Sequence, residues 1–446
     1  MTIETNEILE LTFHAAVPHG DPFWDVTLDI EASSDAGTRL YPCYWAGGDL
    51  WKARIAFQEP GRYSLRTVCS DASDTGLHNK EFEVCAVPYS GIEPLKKHGR
   101  LRVSADRSRL EYADGTPFFW LGDTWWMGLT RRLKYPADFL TLAADRLRKG
   151  FTLIQIVAGI YPDMDEFDAR GENEAGHPWT EDNRSIDPEY FKYMDARIDA
   201  LLSFGLVPCI VACWGYYADV LGFDRLSRYW RYLIARYGAG NVVWCLAGEA
   251  TMPWYGYHPD PEEFERRRQN QKEFWSRLAQ YVRDTDPYGT LTTIHPPVSS
   301  RECVEDSGTI DLEITPWEYV VNLVYNTIGE NGDPTIITLN TLRRRTAKAT
   351  IAIPAESGNS AEVVLAADLL IEGYVRKTVD KTAKVGDESH TYTFEYVVLD
   401  DSVTPQFELG KYALNTANVA AREYDGKGLG VSVTLPAAWT SAIEDS

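Results

Sequence analysis

Long apolar runs are missing from this chain, and no stretch reaches the roughly 18 apolar residues that would span a bilayer. The opening MTIETNEILE has no basic segment leading into an apolar run. No secretory leader is therefore expected, and a cytoplasmic location is the expectation. Cations are in deficit: 44 Lys and Arg stand against 66 Asp and Glu, a net charge of −22. That balance disfavours nucleic acid and anionic membrane surfaces as partners, argues weakly against uronate-rich ligands, and suits a neutral or cationic one. Histidines number only eight and never fall at H-x-x-x-H spacing, so a catalytic zinc is not expected. The seven cysteines are odd in number and lack zinc-type spacing. Cys209 and Cys213 in PCIVAC share one face of a strand but sit too far apart to bridge, so buried, reduced thiols in a reducing compartment are expected. No G-x-G-x-x-G opens the α/β part, no G-x-S-x-G elbow is present, and no cofactor is expected.

Tryptophan is what the chain has in plenty. Fourteen are present, and all but Trp317 and Trp439 precede Pro316. Most fill cores in an ordinary protein, yet clefts rich in Trp also stack on the C–H faces of sugar rings. Residues 1–90 read as short strands (LELTFHA, FWDVTLDIEA, RLYPCYWAG, WKARIAFQ, GRYSLRTVCS, KEFEVCA) separated by turn clusters, the pattern of an Ig-like β-sandwich. PYSGIEPLKKHGR marks a linker at 91–100. From 101 to 316 strands alternate with helices: FFWLGDTW, FTLIQIVAG, LVPCIVACWG, NVVWCLAGEA and TLTTIHP are strands, with a sixth expected in TIDLEIT. Asp187 with Pro188 starts one helix and Gly205 stops it; Pro136 suits the first turn of another. Near-continuous apolar strands in such an alternation predict a TIM-type (β/α) barrel. Residues 317–446 lose Cys and gain Thr, Val and Ala, and read as a β-rich segment in which AEVVLAADLLIEGYVRK fits helix or strand.

In a barrel the chemistry sits where strands end. The residues there are Asp123, Gln155, Trp214, Tyr216, Glu249 and His295. Glu249 closes the apolar run NVVWCLAGE, near Trp244 and Trp254, and an acid at an apolar strand tip is favoured in its protonated form. Glu249 is therefore the candidate catalytic acid/base; a carboxylate ion-paired across the barrel mouth is the plainer reading. Asp123 reads as a sugar binder or as a capping residue before the next helix, and His295 as a ligand contact or a loop residue. The acidic YPDMDEFDARGENE has a D-x-D-x-x-D flavour but not the glycine and terminal Glu of an EF-hand, so a solvated loop is expected, with HPW at its end placed to close over the cleft.

The motifs DPFWDV, Trp51 in WKARIAFQEPGRYSLRTVCS, DGTPFFWLGDTWW, VVWCLAGE and TIHPPVSS resemble the apiosidase-like glycoside hydrolases over roughly residues 8–315. That resemblance implies a β-sandwich before a (β/α)₈ catalytic domain and cleavage of a glycosidic bond in a plant or microbial polysaccharide by two carboxylates. It implies Glu249 as one of them, Asp123, Trp125 and Trp126 lining the sugar subsite, and His295 as the histidine after the fifth strand. The family's second carboxylate follows the seventh strand in a stretch like PVINLE. No such stretch follows Pro316 here, and the nearest candidate is Glu356 in ATIAIPAES. The alternative is a carbohydrate-binding or structural protein on a barrel without its second carboxylate.

Overall fold

The computed structural model describes residues 1–313 apart from 108, 163, 181, 254–259 and 298, and beyond them the backbone of 343–352, 362–371, 374–384, 389–398, 406–413, 425–427, 430–432 and 440–445. The chain divides into two units, Met1–Leu323 and Val324–Ser446.

The first unit begins with β1 (Thr2–Glu4), β2 (Leu9–His14), helical turn α1 (Pro22–Asp25), β3 (Leu28–Ser34), β4 (Gly37–Pro42), β5 (Tyr44–Gly47), β6 (Leu50–Ile55), β7 (Gly61–Cys69) and β8 (Glu81–Val87). Two sheets result, in the orders β1-β8-β7-β3-β4 and β2-β6-β5. Alternation makes one face of each apolar: Leu28, Ile30 and Ala32 of β3 and Trp51, Ala53 and Ile55 of β6 are buried in one core with Phe13, Leu65 and Val84. Two strands read from the sequence as continuous are broken. RLYPCYWAG gives β4 to the larger sheet and β5 to the smaller, with Cys43 between them. FWDVTLDIEA opens as the turn α1, because Pro22 starts a helix readily and the turn buries Phe23.

Within the predicted linker lies a second turn, α2 (Pro94–Lys97), followed by the small antiparallel sheet β9 (Leu101–Val103), β10 (Leu110–Tyr112) and β11 (Pro117–Phe118). FFWLGDTW is thus divided between β11 and β12 (Gly122–Trp125). There the parallel sheet starts, running in strict chain order through β13 (Leu153–Val157), β14 (Val207–Val211), β15 (Val243–Cys245) and β16 (Thr292–Thr293). Helices α3 (Ala137–Arg148), α4 (Pro188–Ser203), α5 (Tyr217–Tyr237) and α6 (Pro261–Thr285) separate the strands. The starts of α4 and α6 have the same cause: Asp187 accepts from the Glu189 N–H at 2.9 Å and Asp260 from the Glu262 N–H at 3.0 Å, each followed by proline. Pro136 occupies the cap position of α3 rather than its first turn. All of β14 and β15 is buried, as two covered faces require. From TIDLEIT, the Asp311 N–H bonds the Thr292 carbonyl at 2.7 Å, so this segment lies beside β16; the chain from 314 is outside the described residues.

Arginines tie the N-terminal sheets to the helices α4 and α5. From α5, Arg228 donates to the carbonyls of Phe23 at 2.6 Å and Val26 at 2.5 Å, and Arg231 pairs with Asp29 at 2.6 Å. Arg54 of β6 reaches Asp199 of α4 at 2.8 Å, and Tyr288 packs into the N-terminal core.

In the second unit, β17 (Arg343–Ala352), β18 (Glu362–Ile371), β19 (Tyr374–Lys384), β20 (Ser389–Val398), β21 (Gln406–Ala413), β22 (Asp425–Lys427), β23 (Gly430–Ser432) and β24 (Thr440–Asp445) pair antiparallel as β20-β17-β24, β19-β18-β21 and the hairpin β22-β23. The segment that fitted helix or strand supplies β18 and the start of β19. Among the described residues, no helix is long and apolar enough to cross a membrane.

Candidate active site

Glu249 stands where β15 runs out. Beyond Cys245 the chain keeps its bonds to both neighbours: Leu246 N–H to the Thr293 carbonyl at 2.8 Å, Gly248 N–H to the Cys213 carbonyl at 2.9 Å, and Gly215 N–H to the Gly248 carbonyl at 2.7 Å. The isolated parallel bridge Trp214–Gly248 belongs to this extension. Glu249 then takes a left-handed backbone, φ 45°, unusual for a residue with a side chain. Its carbonyl accepts the Met252 N–H at 3.0 Å, and Ala250 is held by the His295 carbonyl at 3.2 Å. The turn is therefore pinned from both sides, which offsets the cost of its conformation.

Two glycines make the approach possible. A Cβ on Gly248 would come within 2.2 Å of the Trp214 ring, and one on Gly215 within 2.5 Å of the Glu249 carbonyl oxygen. With both positions bare, the Trp214 indole lies over Gly248 and its Nε1 donates to Glu249 Oε2 at 3.0 Å. Oε1 takes no hydrogen bond among the described residues.

Three rings surround this carboxylate. Trp126 meets Trp214 edge-on at 5.2 Å and His295 at 5.3 Å, and Trp214 and His295 lie 6.1 Å apart. Such edge-on contacts fix ring orientation. Burial holds the His295 imidazole below its ordinary value, with Glu249 pulling the other way, and its buried Nδ1 has no hydrogen-bond partner among the described residues. A depressed folded value means that acid protonates the unfolded chain first. Folded stability should thus fall as the pH drops from about 6.5 through the lower folded value. Unfolding by denaturant at pH 7 and pH 5 checks this: His295→Asn should lose less stability between the two than the unsubstituted chain, and equal losses would refute it.

The structure brings Trp126, Trp214, Glu249 and His295 together; the other candidates lie elsewhere. Asp123 is turned to the helix side of β12. It takes the Trp125 indole at 2.8 Å, the Thr124 N–H at 2.9 Å and the Arg146 guanidinium of α3. Burial by itself would raise its carboxyl, but these donors outweigh that and hold it below the usual carboxylate range. Trp125 is buried against Phe139 of α3, again on the outer side. The strand's period of two puts residues 123 and 125 on one face and 126, past the strand end, in the cleft. Asp123→Asn should cost about 1 kcal/mol of folding stability and leave sugar affinity unchanged; weaker sugar binding at full stability would restore Asp123 to the site.

Gln155 points into the interior of the sheet, its amide 3.7 Å from Cys245 Sγ. Tyr216 reaches outward, its hydroxyl donating to the carbonyls of Tyr161 at 3.2 Å and Met164 at 3.4 Å and so holding the loop after β13. Trp244, expected beside Glu249, packs against Trp230 of α5 and donates to Asp286 at 3.2 Å, on the far side of the sheet. Trp254 and Glu356 lie outside the described residues, as does Asp163 of the acidic loop. Asp168 in that loop binds Arg170, and among the described residues no cluster of His, Cys, Asp or Glu could hold a metal ion. Sequence reasoning missed Arg146 as the partner of Asp123. It also missed Gly215 and Gly248 as the space for Trp214; W-G and G-E at adjoining strand ends were the available signal.

Residues 104–320 match the family model described as apiosidase-like, catalytic domain. Among solved structures, the chain is similar to a candidate glycoside hydrolase from Bacteroides vulgatus ATCC 8482, with TM-score 0.51 and 20% identity over 67% of this chain and 56% of that one. A glycoside hydrolase family 5 protein from the same organism matches at TM-score 0.35 and 22% identity over 50% and 46% of the two chains. The exo-beta-1,4-mannosidase Op5Man5 from Opitutaceae bacterium strain TAV5 matches at TM-score 0.32 and 14% identity over 44% and 34%. The chain spans only about half the length of the first of these structures. No curated protein matches it. The family match bears out the apiosidase-like resemblance over residues 104–320, and together with a fold shared with glycoside hydrolases it supports a glycoside hydrolase.

Proposed function

We propose that the chain hydrolyses a glycosidic bond in a plant or microbial glycan, with Glu249 as acid/base at the mouth of a (β/α) barrel whose first five strands are β12–β16. The observation that carries this reading is Glu249 itself, an acid on a pinned left-handed turn, flanked by Trp126, Trp214 and His295. Glycoside hydrolysis needs a proton on the departing oxygen, and in this account it comes from Glu249 Oε1, which takes no hydrogen bond among the described residues. Trp126 is the stacking surface in this account. Trp214, expected from the sequence to touch substrate, instead orients the acid. His295, neutral because it is buried, offers Nδ1 to a sugar hydroxyl.

A second carboxylate must act as nucleophile or as base for water. Among the described residues none shares a hydrogen bond with Glu249, Trp214 or His295. The lack of a PVINLE-like stretch after Pro316 in the sequence favours a second reading, a protein that binds glycan without cleaving it. Release of aryl pentosides and hexosides by the full chain separates the two. Turnover that disappears in Glu249→Gln supports the hydrolase; binding of a sugar with no turnover on any glycoside leaves the binding protein.

A further inference from the structure

The α1 turn carries Trp24 to the seam between the N-terminal sheets and α5, and an open pocket of about 700 Å³ lies there. That volume falls in the ~300–1,000 Å³ range of small-molecule sites. Its walls combine Trp24 and Phe223 with Asp21, Asp224, Arg184 and Arg225. We infer that this pocket binds an uncharged oligosaccharide, as an extension of the cleft at Glu249; the inference rests on the glycan chemistry proposed for that site.

Three observations support it. The platform is held in place: Arg228 grips the carbonyls on either side of Trp24, and the Trp24 indole donates to the Arg184 carbonyl. A half-buried indole fixed in this way binds a sugar face without losing rotamer freedom on binding. The floor is opened by Gly222, which breaks α5 with φ 71° and whose missing side chain would meet nothing within 4 Å. The polar groups carry both signs, and the exposed Asp224 carboxylate takes no hydrogen bond among the described residues. Acceptors and planar guanidinium donors side by side match vicinal hydroxyls, which both donate and accept, better than they match an ion of either charge.

A smaller cavity toward the loop after β13 shares one wall with the pocket. Leu221 forms that wall, beneath the loop where Tyr161 and Met164 receive the Tyr216 hydroxyl. Asn183 lines the inner cavity and Arg184 the outer pocket. A glycan leaving the Glu249 cleft past Tyr216 would run along this path onto the N-terminal sheets.

The test is calorimetric titration of the full chain carrying Glu249→Gln with cellohexaose, xylohexaose and mannohexaose and with the matching disaccharides. At least one hexaose should bind about tenfold tighter than its disaccharide, and Trp24→Ala should remove that gain. Asp224→Lys, an exposed change that leaves packing alone, should weaken the hexaose several-fold and the disaccharide not at all. No binding of any hexaose, or equal hexaose binding with and without Trp24 and Asp224, would overturn the inference. Turnover of aryl glycosides by the chain with Glu249 intact is read separately: its absence sinks the hydrolase and leaves a measured Trp24-dependent affinity standing, while its presence without a length effect sinks only the pocket.

Discussion

Replacing Glu249 with Gln should abolish hydrolysis, by about 10²–10⁴-fold in kcat, while sugar affinity changes little. The amide is nearly the shape of the acid and its oxygen can still accept the Trp214 indole proton, so the turn and the ring cluster stay in place. What is lost is the proton that the departing oxygen needs, which an amide cannot supply. The measurement is kcat and KM on whichever aryl glycoside the chain cleaves, alongside calorimetric affinity for the free sugar. A drop in kcat at constant affinity is the expected result. Unchanged kcat would remove Glu249 from the reaction, and a parallel loss of affinity and folding would make it a structural acid.

Gly248→Ala is expected to lower both activity and stability without touching a chemical group. The new methyl would need the place of the Trp214 ring, 2.2 Å away, and Trp214 is itself confined by Trp126 and His295. Overpacking of this kind costs about 1–3 kcal/mol in folding. The ring must also shift, which breaks the 3.0 Å bond to Glu249 Oε2 and leaves the acid without its orienting donor. Activity should therefore fall about tenfold or more beyond any fraction unfolded, since a misplaced acid loses alignment with its substrate. Thermal melting and kcat on the folded fraction check this. A variant that melts normally and turns over normally would show that Trp214 moves without consequence.

The pair of variants separates chemistry from its support. In the proposed reaction Trp214 acts only through Glu249, so Trp214→Phe, which keeps an aromatic ring and drops the indole N–H, should lower kcat more than it changes KM. A change in KM alone would return Trp214 to direct contact with sugar.

The order of strands and helices from β12 to β16 was legible in the chain because each signal is local. Apolar runs mark strands buried on two faces, Asp187 and Asp260 start helices by bonding N–H groups two residues on, and Gly205 ends one in a left-handed turn, φ 77°. The place of Glu249 past a strand end was legible for the same reason, as an acid where an apolar run stops. Partnership was not legible. Asp123 and Glu249 look alike in sequence, each an acid at a strand end beside tryptophans. Which face of the sheet each side chain takes depends on where its strand begins, and a shift of one residue exchanges the faces. Only packing decided that Asp123 meets Arg146 on the helix side, that Trp244 lies behind the sheet, and that Trp214 and Gly248, 34 positions apart, share one space over the acid. Composition and periodicity act along the chain and determined the elements; contacts between distant residues act across it, and they determined which of those residues meet.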